Sequence, residues 1–173
     1  PFLDFGLEVL ESLDSLASRT GIETQVSDLE IKTRRISEEE AGLFNTNDQA
    51  MTVLEVSRVI AINHLAVAFL VDIVPSVILT QAEVESSIHG SVYDLLAQKK
   101  DIPLTFSRTD IMAINADEEL GKRLKVNKDR ALILLTAQLF TQSEQVVDFS
   151  YSYFVPGQFQ FHVMRRLGRP MES

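Results

Sequence analysis

Alternation of hydrophobic and polar residues predicts that much of the chain forms β-strands. Residues 24–36 alternate with the period of two that a strand requires. Residues 51–62 and 66–75 flank Asn63 and His64, which predicts a hairpin, and Pro75 ends its second strand because proline cannot donate a ladder hydrogen bond. Further strands are predicted for "LTFSRTDIMAINA", "ALILLTAQLF", "VVDFSYSYFV" and "FQFHV".

Helical spacing and capping residues predict short helices between these strands. Apolar residues recur at helical spacing in residues 7–20, before Gly21, which predicts one helix or two short ones. Ser37, followed three residues later by Glu40, is typical of a capping box that begins a helix. Two further short helices are predicted, over residues 91–100 and 117–124.

These elements predict a sheet covered by helices, of the α+β or α/β class, with no internal repeat. Residues 131–140 are apolar on both faces, which is typical of a strand in the interior of a sheet. The neighbouring strand, 146–155, has one aromatic face and one small, polar face that consists of Asp148, Ser150 and Ser152. Periodicity alone does not decide whether this polar face contacts water or a cavity.

Composition indicates one globular domain. The chain has 173 residues, of which 45% are hydrophobic and 24% charged, and this is enough to form one sizeable core. It has no apolar run of about 18 residues and no secretory signal, so we expect no membrane contact and a cytoplasmic location. With no cysteine, it cannot form a disulfide. A net charge of -9 argues against DNA binding by this chain, despite a small basic cluster at its C-terminus.

Catalytic and metal-binding motifs are lacking. There is no glycine-rich phosphate loop or nucleophile elbow, and His64, His89 and His162 are too far apart in sequence to suggest a metal site, so we expect neither an enzyme nor a cofactor. Arg58 shares its strand face with apolar residues and therefore needs an anion. That anion is either Asp72 or Asp148 in the core, or part of a ligand; the polar face at 146–155 favours a ligand.

Four segments in order resemble the UTRA domain, the effector-binding domain of the HutC branch of GntR-family bacterial transcription regulators. The resemblance covers residues 12–165, almost the whole chain. It lies in a short helix ending in glycine, a hairpin with an arginine and a closing proline, a helix–strand–helix section, and a closing hairpin with a carboxylate, serines and a phenylalanine–histidine pair. The segments are "SLDSLASRTG", "LEVSRVIAINHLAVAFLVDIVP", "SVYDLLAQKKDIPLTFSRTDIMAINADEELGKRLKV" and "VVDFSYSYFVPGQFQFHV".

The resemblance implies a single domain over residues 1–173 with the α+β, chorismate-lyase-like (UTRA) fold: a mostly antiparallel mixed sheet with short helices packed around it. It also implies that the polar face of strand 146–155 belongs to an effector cavity. Carried over position by position, the ligand-binding residues are Leu13, Asp14, Arg58, Ser107, Arg108, Thr109, Asp148, Ser150 and Phe154.

Some positions depart from the family pattern. Ile60 stands where members that sense sugar phosphates have a second arginine, and Leu70 stands near an expected carboxylate. Asp14 is expected to cap the first helix and to repel an anion there. Phe154 replaces the final tyrosine. These departures disfavour a sugar phosphate, and Arg58 with Asp148 suits a smaller or zwitterionic ligand, or a pocket that has lost its sensing role.

The resemblance further implies a homodimer that regulates DNA binding through an N-terminal winged helix-turn-helix domain, which this chain lacks. The apolar strand at 131–140, near a sheet edge, would suit dimerisation. Two alternatives remain: an enzyme like chorismate lyase, and a dimerisation module whose cavity is filled by side chains.

Overall fold

The computed structural model describes residues 3–87 and 91–166. Within them, strands and short helices follow one another in an α+β arrangement, as the sequence predicts. In chain order they are β1 (Leu3–Gly6), α1 (Leu13–Arg19), β2 (Thr24–Arg35), α2 (Glu38–Leu43), β3 (Thr52–Ile62), β4 (Leu65–Pro75), α3 (Gln81–Glu85), α4 (Val92–Ala97), β5 (Leu104–Asn115), α5 (Glu118–Leu124), β6 (Ala131–Thr141), β7 (Val146–Phe154) and β8 (Phe159–His162). None of the helices in these residues is long and apolar enough to cross a membrane.

Six strands form one antiparallel sheet in the order β2-β3-β4-β7-β6-β5. The two short strands β1 and β8 pair in parallel in a separate sheet. This agrees with the predicted antiparallel fold and with the interior position of β6, which lies between β7 and β5. The edges of the large sheet are β2 and β5. Since β6 is paired on both sides, it cannot itself offer an edge for dimerisation.

The large sheet is built from two copies of one arrangement, which the sequence analysis misses. A long strand, a short helix and a hairpin occur first as β2-α2-β3-β4 and again as β5-α5-β6-β7. The second strands of the two hairpins, β4 and β7, pair at the centre of the sheet. The two helices begin with different caps: Ser37 with Glu40 in a capping box, and Asp117 alone. The order of elements therefore repeats without an obvious repeat of residues.

The β3–β4 hairpin has the predicted turn and one bulge. Asn63 and His64 have φ angles of 50° and 64°, as the type I′ turn of a tight hairpin requires. The register shifts between Ile60 and Ala61, with one additional residue on β4. Beyond this bulge Arg58 lies opposite Leu70, so that Arg58 and Asp72 share one face of the sheet.

The N-terminal segment differs from its prediction. The helix begins only at Leu13, and residues 3–6 form β1, which has no alternating pattern of its own. Ser12, and not Asp14, is the N-cap, because its side chain accepts a hydrogen bond from the backbone N–H of Ser15. Residues 7–12 therefore connect β1 to α1, and this connection begins with a turn at Leu7 and Glu8.

Helices cover both faces of the large sheet. On one face α2 and α5 pack on aromatic side chains that include Phe149 and Phe69, as the aromatic face of β7 predicts. On the other face two separate apolar clusters form. One joins α1 and the β1–β8 pair to the sheet, and the other joins α3 and α4 to it. Between these two clusters, no close-packed side chains of the described residues cover the sheet surface.

Candidate ligand-binding site

A cavity of about 520 Å³ lies over this uncovered part of the sheet. Its floor consists of side chains from β3, β4, β7, β6 and β5, all on the same sheet face. Because side chains of one face lie opposite each other across paired strands, they form rows. The rows are Arg58, Leu70, Ser152, Leu135 and Ile111; Asp72, Ser150, Ala137 and Thr109; and Asp148, Leu139 and Ser107.

The walls of the cavity are mostly apolar and come from outside the large sheet. They include residues of β1, of the 7–12 connection and of α4. Two hydrogen bonds hold these pieces together: the Tyr93 hydroxyl donates to the Leu10 carbonyl at 3.2 Å, and the Ser12 hydroxyl donates to Asp94 Oδ2 at 2.8 Å. The wall side chains are Phe5, Leu7, Val9, Leu10, Leu13, Val92 and Tyr93.

Arg58 reaches the cavity from β3, and only 4% of its surface is exposed. Its Nη2 atom lies 3.6 Å from Oδ2 of Asp14 on α1. Asp14 is therefore an anionic partner of Arg58, although the sequence predicts Asp14 as a ligand-binding residue and not as the partner of Arg58. Asp14 itself does not line the cavity; it lies behind Arg58 and faces a shallow pocket on the other side of α1.

Two carboxyl groups, Asp72 and Asp148, lie side by side on the floor. Asp148 is 5% exposed, and its buried Oδ1 atom has no hydrogen-bond partner in the described part of the chain. Burial raises the pKa of Asp148 well above its usual value, and the charge of Asp72 and a hydrogen bond to it raise it further. Burial also raises the pKa of Asp72, although the nearby Arg58 opposes this. The pair therefore favours a shared proton, with Asp148 as the donor.

The structure brings seven of the nine sequence-predicted site residues to the cavity and leaves two out. Asp14 lies behind it, and Arg108 points into solvent from β5, with its Nε atom 3.7 Å from Asp110. Arg108 alternates with Ser107 and Thr109 along the strand, so it must face the other way. The seven are Leu13, Arg58, Ser107, Thr109, Asp148, Ser150 and Phe154.

Several residues that line the cavity are not among the nine sequence-predicted site residues. Asp72 enters the sequence analysis only as a partner for Arg58, and the hairpin register alone puts it on the floor. The aromatic wall residues Phe5 and Tyr93 carry no local signal, because their role depends on how β1 and α4 pack together.

The two histidines in the described part of the chain, His64 and His162, do not line the cavity. His64 lies in the exposed hairpin turn, and His162 on β8 lies with Nδ1 2.7 Å from Oδ1 of Asp4. His89 lies outside the described residues. In residues 3–87 and 91–166, no three histidine, aspartate or glutamate side chains are grouped so that they could hold a metal ion.

Comparison with known proteins identifies the family. Similar solved structures include PhnF from Mycobacterium smegmatis, with a TM-score of 0.84, 16% identity and coverage of 97% of this chain and 73% of that one. The effector domain of the same protein has a TM-score of 0.83 and 17% identity, and coverage of 95% and 99%. The ligand-binding domain of a putative GntR-family regulator from Bordetella bronchiseptica has a TM-score of 0.72 and 17% identity, and coverage of 84% and 90%.

At these identities the structural matches establish the fold. No curated protein sequence matches the chain. The model of the UTRA domain family, however, matches residues 13–160, which is most of the sequence and includes the whole floor of the cavity. The chain therefore belongs to the UTRA domain family.

Proposed function

We propose that this chain is the effector-sensing and dimerisation domain of a cytoplasmic GntR-type transcription regulator of the HutC branch. A small metabolite binds in the cavity and changes DNA binding by a winged-helix domain of the same regulator. The family membership and the effector and ligand-binding domains among the similar structures support this proposal. Those structures are regulators or their domains, which favours a binding role over an enzymatic one.

The observation that carries the proposal is the cavity of about 520 Å³ with polar side chains on its floor. Its volume is typical of sites that bind small molecules. Ser150, Ser152 and Asp148 occupy positions on a central strand where apolar residues would complete the core. A buried acceptor with no partner, such as Asp148 Oδ1, destabilises the empty domain, and a ligand that donates to it removes this cost.

The same cavity argues against a module that serves only for dimerisation. In such a module we would expect side chains to fill the space between the two apolar clusters. Small residues occupy the middle of the floor instead, among them Ala137 and Ser150. These residues leave room for a ligand directly over the centre of the sheet.

For the homodimer, β5 is a better surface than β6. It is an edge strand of the large sheet, and exposed edges pair readily with another chain. It also exposes two large apolar side chains on the face away from the cavity: Phe106 and Met112. Apolar side chains on an unpaired edge favour burial against a second copy of the same strand.

A thermal-shift screen of metabolites, with a variant that blocks the cavity, tests the sensing function. Ala137→Phe adds an aromatic ring to the centre of the floor, and Ala113→Phe adds the same ring to an exposed position on β5. We expect at least one metabolite to raise the melting temperature of the parent and of Ala113→Phe, but not that of folded Ala137→Phe. Metabolites that stabilise the blocked variant equally well would contradict the proposal.

A further inference from the structure

The charged groups around the cavity are mainly acidic. Four carboxyl groups line it: Glu8 and Glu11 from the 7–12 connection, and Asp72 and Asp148 from the floor. Among the described lining residues, Arg58 is the one lysine or arginine. A cavity with this balance attracts cations and repels anions.

The positive charge of Arg58 is already opposed by protein carboxylates. Asp14 approaches its guanidinium to 3.6 Å from behind the cavity, and Asp72 lies close enough on the neighbouring strand for the two charges to interact. The side chain of Arg58 is 4% exposed, so little of it is accessible from the cavity. An anionic ligand would have to compete with Asp14 and Asp72 for this one group.

Asp148 offers an acceptor that no protein group uses. Its Oδ1 atom is buried and has no hydrogen-bond partner in residues 3–87 and 91–166, and the residue lines the cavity. The carboxyl of Asp72 lies next to it, so a donor placed between the two could bind both. Buried carboxyls with an open acceptor bind positively charged donors most strongly, because the hydrogen bond is then charge-assisted.

The walls suit the organic part of such a cation. Phe5 and Tyr93 line the cavity above the floor, and Phe154 lies at its end. Aromatic rings stabilise ammonium groups through their negative faces, and they also bury apolar carbon atoms. A ligand with one cationic head and an apolar body would match both the floor and the walls.

We propose that the effector is a small organic cation, a protonated amine with an apolar body, whose ammonium group donates hydrogen bonds to Asp148 and Asp72. This inference rests on the sensing function proposed above and specifies the chemical class of the ligand. The ammonium supplies the positive charge that allows both carboxyls to ionise. Binding therefore releases the proton that the pair shares in the empty domain.

Proton release fixes the sign of the pH dependence. The groups that face Asp148 are Arg58 on β3, Asp72 on β4, and Glu8, Glu11 and Tyr93 on the walls, with Asp14 behind Arg58; the lining residues of β5 and β6 do not titrate. Burial and Asp72 raise the pKa of Asp148 in the empty site, and a bound ammonium lowers it. Affinity for an amine therefore rises with pH between the pKa of Asp148 with the amine bound and its pKa in the empty site. The rise is up to about tenfold per pH unit.

Matched probes test the charge of the ligand directly. We would titrate the parent domain by calorimetry with 2-phenylethylamine, 2-phenylethanol and phenylacetate, and with the amine, alcohol and acid of the 3-methylbutyl skeleton. At least one amine should bind at least about tenfold more tightly than its alcohol, and the acids should bind more weakly still. In buffers of different ionisation heat, the amine should release up to one proton.

Variants assign the effect to the floor. Asp148→Asn and Asp72→Asn each keep the side-chain shape, and each should weaken amine binding at least about tenfold while leaving alcohol binding unchanged. Glu144→Gln, at an exposed turn, is the matched control and should bind like the parent. Because two floor variants are used, one that fails to fold does not prevent the test.

Two outcomes separate the inference from the function on which it rests. If an alcohol or an acid binds in the cavity as tightly as its amine, the cationic class is wrong and the sensing function stands. If no amine, alcohol or acid binds, and no metabolite shifts the melting temperature in the screen described above, both proposals are wrong. Amine binding that persists unchanged in Asp148→Asn and Asp72→Asn would also overturn the inference.

Discussion

The guanidinium of Arg58 and the carboxylate of Asp14 connect β3 to α1 at the side of the cavity, with 3.6 Å between Nη2 and Oδ2. Both side chains are at least nine-tenths buried. Removal of one partner from a buried ion pair leaves the other charge without compensation. Arg58 thus both stabilises the fold and lines the cavity. Reasoning from the sequence alone leaves these two roles as alternatives.

We therefore expect Arg58→Ala to lower the free energy of unfolding by about 3 to 5 kcal/mol, because Asp14 and Asp72 lose the cation near them. Chemical denaturation of the two proteins measures this. Arg108→Ala is the control: it also removes an arginine from a strand of the sheet, but its side chain is 69% exposed, and we expect a change within about 0.5 kcal/mol. Equal stability of Arg58→Ala and the parent would show that the ion pair is not structurally important.

The raised pKa of Asp148 predicts how stability depends on pH. Burial and Asp72 raise this pKa in the folded domain, so the folded state binds the proton more tightly than the unfolded chain does. The stability that comes from the proton is complete below about pH 4, the unfolded value, and is lost as the pH rises toward the folded value. Asp148→Asn cannot lose a proton, so at pH 7 it should be more stable than the parent.

Denaturation of both proteins at several pH values from 4 to 8 tests this. The difference between variant and parent should be small near pH 4 and grow as the pH rises. Asp110→Asn, in which an exposed carboxyl of β5 is replaced, serves as the control and should show no such growth. A parent that gains stability relative to Asp148→Asn as the pH rises would mean that Asp148 is ionised in the empty cavity.

Local sequence patterns predict most of the sheet and some of the caps. The two hairpins, β2, β5 and the helix starts at Ser37 and Asp117 depend on alternation, turn residues and capping, which act within a few residues. β1 could not be predicted in this way. It has four residues, and its pairing with β8 joins segments more than 150 residues apart in the chain. The duplicated arrangement of the sheet is likewise a property of topology and not of local pattern.

The candidate site divides in the same way. The polar face of β7 is visible in the sequence because Asp148, Ser150 and Ser152 alternate with aromatic residues. The position of Asp72 on the floor depends on the register of the β3–β4 hairpin, and the bulge beyond Ile60 sets that register. Family resemblance assigns Arg108 to the site, whereas strand alternation in the structure points it to solvent.

The exposed edge of β5 predicts a homodimer. A charge at Met112 should weaken pairing of two copies of this strand, since Met112 is 45% exposed and lies on the edge. We expect Met112→Glu to raise the dimer dissociation constant at least about tenfold, measured by light scattering over a concentration series. Val77→Glu, at an exposed position in the connection after β4, should leave the dimer unchanged. A parent that is monomeric at micromolar concentration would contradict the dimer.

The net charge predicts that this domain alone does not bind duplex DNA. With -9 at neutral pH, the chain is repelled by the phosphate backbone and gains little from counterion release. Fluorescence anisotropy with a labelled random duplex at physiological salt should show no binding up to about 10 μM protein, a concentration within the usual range of nonspecific dissociation constants, about 1 to 100 μM. Binding that weakens with added salt would contradict this prediction and would indicate an exposed basic surface.

The most direct test of the effector cavity is a crystal structure of the domain with the metabolite that most raises its melting temperature. We expect electron density for the metabolite over β7, within hydrogen-bond distance of Asp148 or Ser150 and in contact with Phe5 or Tyr93. Density that appears only at another surface, with the cavity unchanged, would contradict the assignment of this site.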